Sequence, residues 1–291
     1  MLTRIDHVSI CVPDLARGIE QFGRMGFDIH PGGAYPGKGT HNAIAFNRED
    51  YIELLAIRDE AERRAARSDS GLEEFIAAGG GIRHIVLQSD DLAADVAAMR
   101  GRGVEVSDAV EGGRRTPAGQ ELRWRVAQPG AGNPLPILFI EHLTPIQERR
   151  RQVPSAAAHP NGVHAIERAY IVTRDASAAA ALYAMVLGVP QPPMEKGMVI
   201  MADMAIFQLG ATGLGIAQPY APGPAADALE RRGPGPFQAL YRTASMGAAV
   251  RWMQEHGMPP PKRGVRNTGE QAMLVTPVDA CGAYIGFVGP E

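Results

Sequence analysis

The segment that decides the fold is Ile5-Asp6-His7-Val8-Ser9-Ile10-Cys11-Val12. It is followed by Pro13-Asp14 and by a helical pattern that begins at Leu15 and stops at Gly26. The run of β-branched and apolar residues predicts a strand, and an aspartate is a favoured helix N-cap. We therefore predict a strand–turn–helix unit here.

The same unit returns three times along the chain. Its further strands are predicted over residues 82–87, 167–173 and 237–241, and the caps after them are Asp91, Asp175 and Ser245. Two or three short β-like runs follow each helix, so each unit has the order βαβββ. One such sheet needs a second unit to close its core. The sequence thus predicts an α+β protein: four βαβββ modules paired into two cup-shaped mixed sheets, with the helices on the outside.

The length agrees with two paired units. At roughly 100 to 200 residues per domain, a chain of 291 residues predicts two cores. We assign residues 1–146 to the first domain and residues 162–291 to the second. Residues 147–161 contain the run Arg149-Arg150-Arg151 and then Pro154 with alanines and serines. This composition predicts a linker whose arginines are solvated.

Charge and composition limit the classes of partner that the protein is expected to bind. A net charge of -3 provides no general attraction for nucleic acid or for an anionic membrane. No apolar run reaches the ~18 residues of a membrane span, and the first residues lack the apolar core of a signal peptide. Cys11 and Cys281 lie near opposite ends and cannot form a disulfide framework. We expect a cytoplasmic protein that binds a small molecule, and a homodimer is compatible with the sequence.

The strands of the first two modules carry a candidate metal site. His7 and His84 occupy matching positions in the first strands, and Glu53 and Glu141 stand inside apolar last strands. A carboxylate in a buried strand is costly unless a cation or a hydrogen-bond donor compensates it. Strand alternation can direct all four side chains into one cup. The predicted ligands of a divalent ion are therefore His7, Glu53, His84 and Glu141.

The types of ligand narrow the choice of metal ion. Two imidazoles and two carboxylates leave room for exogenous oxygens around Ni, Co, Mn, Fe(II) or Zn, and a closed structural zinc site would favour cysteines. At the matching positions the third and fourth modules have Arg168, Gln238, Gly215 and Gly286. The second domain is therefore predicted to bind no metal and to serve as a scaffold or lid.

Other residues are candidates for substrate binding. Arg123 and Arg125 share one face of a predicted strand, and they either line the cup or lie on a solvated edge. His41 and Asn42 stand at the base of a glycine-rich stretch, residues 32–40, which we interpret as a mobile flap. His142 alternates away from Glu141 and is not chosen as a ligand.

These residues resemble the vicinal oxygen chelate superfamily, which includes glyoxalase I, methylmalonyl-CoA epimerase, fosfomycin-resistance proteins and type I extradiol dioxygenases. The order His7, Glu53, His84, Glu141 looks like bacterial glyoxalase I. Residues 35–40 and 51–55 look like the family described only as glyoxalase-like. The resemblance implies that a metal chelates two adjacent oxygens of the substrate. Glu53 or Glu141 then acts as a base on a neighbouring C–H.

Three functions follow from these patterns. The first is a metal-dependent lyase or isomerase that acts on a small substrate with adjacent oxygens. The second is an Fe(II)-dependent extradiol-type dioxygenase with His7, His84 and Glu141 as ligands. Its four-module length is similar to that of such enzymes, although their metal normally lies in the second pair of modules. The third is a non-catalytic small-molecule binding protein.

Overall fold

The protein contains four βαβββ modules, as predicted. The computed structural model describes residues 1–66, 71–130, 132, 135–151 and 159–291. Each module runs strand, helix and three strands, and consecutive modules pair into two eight-stranded sheets with helices outside. The predicted fold class is confirmed.

The first two modules form a closed barrel. Its strand order is β1-β4-β3-β2-β6-β7-β8-β5. The strands are β1 (Leu2–Cys11), β2 (His30–Tyr35), β3 (Thr40–Phe46), β4 (Tyr51–Ile57), β5 (Gly81–Ser89), β6 (Val110–Arg115), β7 (Glu121–Ala127) and β8 (Ile137–His142). The helices are α1 (Leu15–Arg24), α2 (Glu60–Ala66), α3 (Leu72–Ala77), α4 (Leu92–Gly101) and α5 (Ile146–Arg150). Of the stretch interpreted as a flap, residues 32–35 lie in β2 and residues 36–39 form the turn to β3.

The last two modules form an open sheet of order β10-β11-β12-β9-β13-β16-β15-β14. The strands are β9 (Val163–Val172), β10 (Met194–Gly197), β11 (Ala202–Leu209), β12 (Thr212–Pro219), β13 (Gly235–Thr243), β14 (Lys262–Val265), β15 (Gln271–Val275) and β16 (Tyr284–Val288). The helices are α6 (Ala176–Leu187), α7 (Pro224–Arg232) and α8 (Met246–Glu255).

The four module helices begin where the caps predict. The side chains of the capping residues each accept a hydrogen bond from the backbone N–H three positions later; these residues are Asp14, Asp91, Asp175 and Ser245. Such a bond satisfies one of the N–H groups that the first turn leaves unpaired. The turn from first strand to helix is therefore fixed by local chemistry in every module.

The strand register defines which residues are equivalent between modules. The first strand of each module pairs in parallel with its last strand, and the aligned pairs are Ser9–Glu53, Val86–Leu138, Tyr170–Gly215 and Leu240–Gly286. Ser9 lies two residues after His7, just as Val86 lies two residues after His84. The equivalent of Glu53 in the second module is therefore Leu138.

A β-bulge interrupts the central pairing of each half. In the barrel, Ile5 pairs with Leu87 and His7 with Val86, so Asp6 has no partner of its own. In the second sheet, Glu167 is the extra residue between Ile166 and Arg168. A bulge re-aims the side chains around it. This is how Asp6 and His7, although adjacent in sequence, come into contact.

Buried polar side chains join the two halves. Nδ1 of His159 accepts from the backbone N–H of Asp28 at 2.9 Å, and Nε2 bonds Oδ1 of Asn47 at 3.1 Å. Asn47 also donates to Asp50, whose carboxylate accepts the backbone N–H of Ile166 at 3.1 Å. The halves are therefore linked by a continuous chain of hydrogen bonds.

The predicted linker differs in part from the structure. Its residues 152–158 lie outside the described residues, while residues 147–150 belong to α5. Arg149 is buried, at 5% exposure, although the arginine run was expected to be solvated. The reason is that α5 packs at one end of the barrel, where Arg149 lines an internal cavity. Among the described residues, no helix is long and apolar enough to cross a membrane.

Candidate active site

Two connected cavities occupy the barrel half. The outer cleft, about 980 Å³, is bordered by barrel strands, by α3 and by residues 231–237 of the second half. The inner chamber, about 230 Å³, lies inside the barrel. His7, Tyr35 and Glu53 line both cavities and thus form the floor between them.

His7 and Glu53 face each other on this floor. Nε2 of His7 lies 3.8 Å from Oε2 of Glu53, and both side chains are 8% exposed. β1 carries His7 and β4 carries Glu53. The two strands are adjacent and parallel, with Ser9 opposite Glu53, and this pairing holds both residues in place. The structure therefore brings together His7 and Glu53, the two predicted metal ligands of the first module.

Asp6 fixes the orientation of His7. Its fully buried carboxylate lies 2.7 Å from Nδ1 of His7 and 3.0 Å from Nε2 of His142. Although burial opposes ionisation, the two imidazoles outweigh it and hold the pKa of Asp6 well below its ordinary value. An ionised Asp6 accepts the Nδ1–H of His7. The lone pair of His7 is therefore on Nε2, the nitrogen that faces Glu53.

Glu53 is held in a similar way from behind. Its Oε1 accepts hydrogen bonds from the Tyr35 hydroxyl and, at 2.7 Å, from Nδ2 of Asn42. Burial acts to raise the pKa of Glu53, but His7 and the hydrogen bonds from Tyr35, Asn42 and Ser9 lower it overall. The carboxylate is therefore ionised, and Oε2 remains for the cleft.

Glu141 departs from the prediction, because its carboxylate does not join the other three side chains. Its Oε2 lies 3.4 Å from the backbone N of Leu92 at the start of α4 and 3.5 Å from Nη1 of Arg125. The register explains the difference: Glu141 is three residues beyond Leu138, and an odd shift reverses the face of a strand. Leu138, Ile140 and His142 are the residues of β8 that line the inner chamber.

His84 lies on the cleft wall, opposite Ser9 in the antiparallel pairing of β1 with β5. Within the described part of the chain, no three side chains of His, Cys, Asp or Glu are close enough together to hold a metal ion. The predicted four-ligand set is thus reduced to one close pair, His7 and Glu53, with His84 on the same cavity wall.

Three of the four predicted substrate contacts lie elsewhere. Arg123 pairs with Glu111 at 2.7 Å on the surface, and Arg125 is directed at Glu141. Trp124, between them, faces the chamber together with Leu122 and Val126. His41 lies near Arg58 and Asp14, on the helix side of the barrel; burial, the largest influence, lowers its pKa. The arginines therefore lie on the solvated outer face of the barrel, as the alternative interpretation expected, but β7 is not an edge strand because it lies between β6 and β8.

Asn42 does reach the floor, but it bonds Glu53 and Tyr35 there. Five residues that the sequence argument did not select also surround the site: Asp6, Tyr35, Arg114, His142 and Arg149. His142 and Leu138 are separated by an even number of positions in β8. Because side chains alternate between the two faces of a strand, this spacing could have placed His142 on the same face as Leu138. Asp6 could not be found, because its position depends on a bulge.

The second half has no comparable floor. Arg168 and Gln238 replace His7 and His84, and by strand register Gly215 and Gly286 stand at the positions of Glu53 and Leu138. A methyl group on Gly215 would lie 2.4 Å from Cδ1 of Tyr170, and one on Gly286 would lie 2.7 Å from Cδ1 of Leu240. Side chains of the protein itself therefore fill the space next to both glycines, and a cavity of only about 100 Å³ remains beside Arg168 and Gln238.

Comparisons with known proteins agree with this architecture. A hypothetical protein from Staphylococcus aureus has a similar structure, with a TM-score of 0.70 and 14% identity over 99% of this chain and 100% of that one. A mutant of 4-hydroxymandelate synthase from Streptomyces coelicolor gives a TM-score of 0.67 at 14% identity, over 99% and 92%. A fusion protein of a xylose isomerase-like TIM barrel and 4-hydroxyphenylpyruvate dioxygenase gives 0.62 at 12%, over 99% and 49%.

The sequence comparisons are more selective. No curated protein matches the chain. Residues 5–187 match the family described as Glyoxalase-like domain, a range that covers the whole barrel half and ends with α6. The chain therefore belongs to the glyoxalase-like domain family, within the vicinal oxygen chelate superfamily.

Proposed function

We propose that this protein is a metal-dependent lyase or isomerase that acts on a small substrate with two adjacent oxygens. His7 and Glu53 would hold the divalent ion. The observation that carries the proposal is the pair itself: Nε2 and Oε2 face each other across 3.8 Å at the floor of the cleft, while each side chain is anchored on its far side.

The donor pair passes a simple geometric test. Two ligand atoms that each lie ~2.1 Å from a metal ion are at most ~4.2 Å apart, and the observed separation is 3.8 Å. The anchoring contacts have the usual form of support around a metal ligand, in which a histidine donates its other N–H to a carboxylate. Asp6 provides that carboxylate for His7.

His84 is the further donor in the proposal, because it lines the same cleft. Glu141 is left out, because its carboxylate contacts α4 and Arg125. Imidazole and carboxylate donors suit Zn, Mn, Fe(II), Co and Ni alike. The ligand types therefore leave the choice of metal to measurement.

The residues of the floor suit proton transfer. When bound, a divalent ion would polarise the adjacent oxygens of the substrate and acidify the neighbouring C–H. Glu53 is ionised, and a base must be unprotonated to act. Tyr35 and Asn42 hold its Oε1, so Oε2 would have to leave the ion before it takes a proton from carbon.

Exchange of a carbon-bound proton with solvent tests this function without knowledge of the final product. Protein with bound metal would be incubated in deuterated water with small 2-oxo and 2-hydroxy carbonyl compounds, and deuterium uptake followed by NMR. We expect Glu53→Gln to lose exchange on any compound that the native protein labels. The matched variant Glu141→Gln should retain it, and equal loss in both variants would contradict the assignment.

One observation favours a second candidate, an Fe(II)-dependent dioxygenase. With Glu141 outside the cup, the remaining donors are His7, His84 and Glu53, which is the two-histidine, one-carboxylate composition of non-haem iron oxygenases. This candidate predicts that Fe(II) supports oxygen consumption with a catechol-like compound. Full turnover without oxygen would exclude it. Protein that contains no metal and labels no compound would instead favour the third hypothesis, a binding protein.

A further inference from the structure

The outer cleft has a strongly cationic lining. Among the described residues, Glu53 is the one carboxylate that borders it, whereas five cations do: Lys38, Arg63, Arg83, Arg231 and Arg232. Outside the lining, Glu73 pairs with Arg63 at 2.9 Å. A divalent ion held by His7 and Glu53 would add to the positive charge at the floor. A cleft lined by one sign of charge concentrates counter-ions, so this cleft favours an anionic substrate.

Two of the cations come from the second half. Arg231 and Arg232 end α7, and the last turn of a helix is a favourable place for a cation. Arg232 is half-buried, and within the described ranges its guanidinium forms no hydrogen bond and no ion pair. A guanidinium has five N–H donors. Those of Arg232 are therefore available to an anion in the cleft.

The surroundings of Arg232 hold its side chain in place. Its guanidinium carbon lies 5.1 Å from the ring centroid of Phe75 in α3, and the guanidinium carbon of Arg83 lies at the same distance from this ring. A methyl carbon on Gly282 would lie 2.7 Å from Nη2 of Arg232, and one on Gly81 would collide with Nη1. A guanidinium stacked on an aromatic ring presents its N–H groups at the edge, where they bind a carboxylate or phosphate in a bidentate manner.

Arg232 is well separated from the floor of the cleft. Its Nη1 is next to Gly81, which begins β5, and His84 lies three residues further along that strand. At ~3.3 Å per residue, these two positions are roughly 10 Å apart. An anionic group at Arg232 would therefore lie several atoms away from the oxygens that react at the floor.

We propose that the outer cleft selects substrates with an oxyanion, a carboxylate or a phosphate ester, several atoms away from the reacting oxygens, and that Arg232 binds this group. The inference deepens the proposed function and rests on it for the position of the reacting oxygens. It gives the second half a direct part in substrate recognition, because α7 supplies Arg232 to a cleft whose floor lies in the barrel.

The probes are 2-oxoadipate and 2-oxohexanoate. Both have six carbons and the same adjacent oxygens, but only 2-oxoadipate ends in a second carboxylate. We expect calorimetry to show that the native protein binds 2-oxoadipate roughly tenfold more tightly, the usual effect of a hydrogen bond to a charged group. Arg232→Gln should reduce this preference to about twofold or less because the charge is gone, and Arg232→Lys should retain part of it. The matched variant Arg123→Gln, on the outer face of the barrel, should keep it in full.

Salt tests the proposal even if Arg232→Gln folds poorly. The preference of the native protein should fall as NaCl rises from about 0.05 M to about 0.5 M, because screening weakens the attraction between charges that solvent reaches. A third probe, 2-oxo-5-phosphonopentanoate, replaces the terminal carboxylate by a phosphonate, and the tighter of the two anionic probes identifies the source of the oxyanion. Equal binding of 2-oxoadipate and 2-oxohexanoate to the native protein, or an undiminished preference in Arg232→Gln, would overturn the proposal.

The same titrations on metal-free protein keep the two proposals apart. The adjacent oxygens lose their binding partner there, so both probes should bind more weakly, but the preference for 2-oxoadipate should remain because Arg232 is unchanged. Metal-loaded protein that exchanges deuterium and binds both probes equally would contradict the oxyanion site alone. Protein that retains the preference but binds no metal would contradict the metal function alone.

Discussion

The two halves place an acidic residue at the same β-bulge and use it differently. In the barrel half, Asp6 is bound by the imidazoles of His7 and His142. In the second half, Glu167 pairs with two arginines, Arg242 and Arg266. The first arrangement leaves a lone pair of His7 directed at a cavity, while the second neutralises every charge that it contains. The bulge thus provides an acid in each half, which is fully buried in the barrel and half-buried in the second sheet, and its neighbours decide whether a reactive site results.

The two halves also differ in the space that is available near the bulge. Glu53 occupies its position in the barrel with Oε2 facing the cleft, whereas Tyr170 occupies the space above Gly215 in the second sheet. What separates a cup with a site from a scaffold is therefore both charge and volume. This comparison can be tested from either side.

The largest effect is expected at Asp6. Asp6→Asn leaves two buried imidazoles with one weaker acceptor, so we expect a loss of about 3 kcal/mol of unfolding free energy and a fall of about 10- to 100-fold in metal affinity. Glu167→Gln should cost roughly 1 kcal/mol, because Glu270 still pairs with both arginines. Urea unfolding and metal titration measure both. Equal costs would show that the two acids have the same role.

The junction between the halves predicts two opposite pH dependences. Burial raises the pKa of Asp50 from 3.8 to about 6, so the unfolded chain ionises first and stability falls as the pH rises through this interval. Burial lowers the pKa of His159 from 6.5 to about 4, so the unfolded chain takes up the proton first and stability falls as the pH drops through that interval. Each contribution is worth roughly 3 kcal/mol and largely offsets the other.

Single substitutions should expose each slope. His159→Gln is expected to gain stability relative to the native protein on acidification, and Asp50→Asn is expected to lose it. Urea unfolding at the two ends of the overlapping interval provides the measurement. Slopes of the same sign in both variants would be inconsistent with this junction.

A smaller effect is expected when a methyl group is added at Gly215 in the second sheet, where Tyr170 already occupies the space. Gly215→Ala would bring a methyl carbon within 2.4 Å of Tyr170 and should cost about 2 kcal/mol. Adding Tyr170→Leu should recover part of this loss as a coupling of about 1 kcal/mol, measurable in a double-mutant cycle. If Gly215→Ala is as stable as the native protein, the second cup is not filled as described.

The smallest effect is expected at the surface arginine once assigned to substrate binding. Arg123→Ala removes an exposed ion pair with Glu111 and should leave metal affinity, deuterium exchange and the melting temperature unchanged. A clear loss of deuterium exchange in this variant would restore Arg123 as a substrate contact in the cup.

The sequence predicts what local chemistry controls. The helix caps and the module order follow from residue type and repetition, and the pairing of His7 with Glu53 follows from alternation within one module. Glu141 was misassigned because a carboxylate was matched by type, whereas the parity of β8 places Leu138 and His142 on the inner face. A single-residue error in register changes the face, and sequence pattern alone did not fix that register.

The remaining site residues depend on long-range packing. Asp6 reaches both imidazoles only because the pairing of β1 with β5 slips by one residue. Arg149 is buried because α5 folds against the barrel, although its neighbours Arg150 and Arg151 belong to the same basic run. Neither feature has a periodic signal in the chain.

The most direct measurement is the affinity of the purified protein for one divalent metal, compared between Glu53→Gln and Glu141→Gln. Our account predicts one bound ion per chain in the native protein and in Glu141→Gln, and a loss of at least tenfold in affinity in Glu53→Gln. A loss in Glu141→Gln that equals the loss in Glu53→Gln, or undiminished binding in Glu53→Gln, would contradict the assignment of the site to His7 and Glu53.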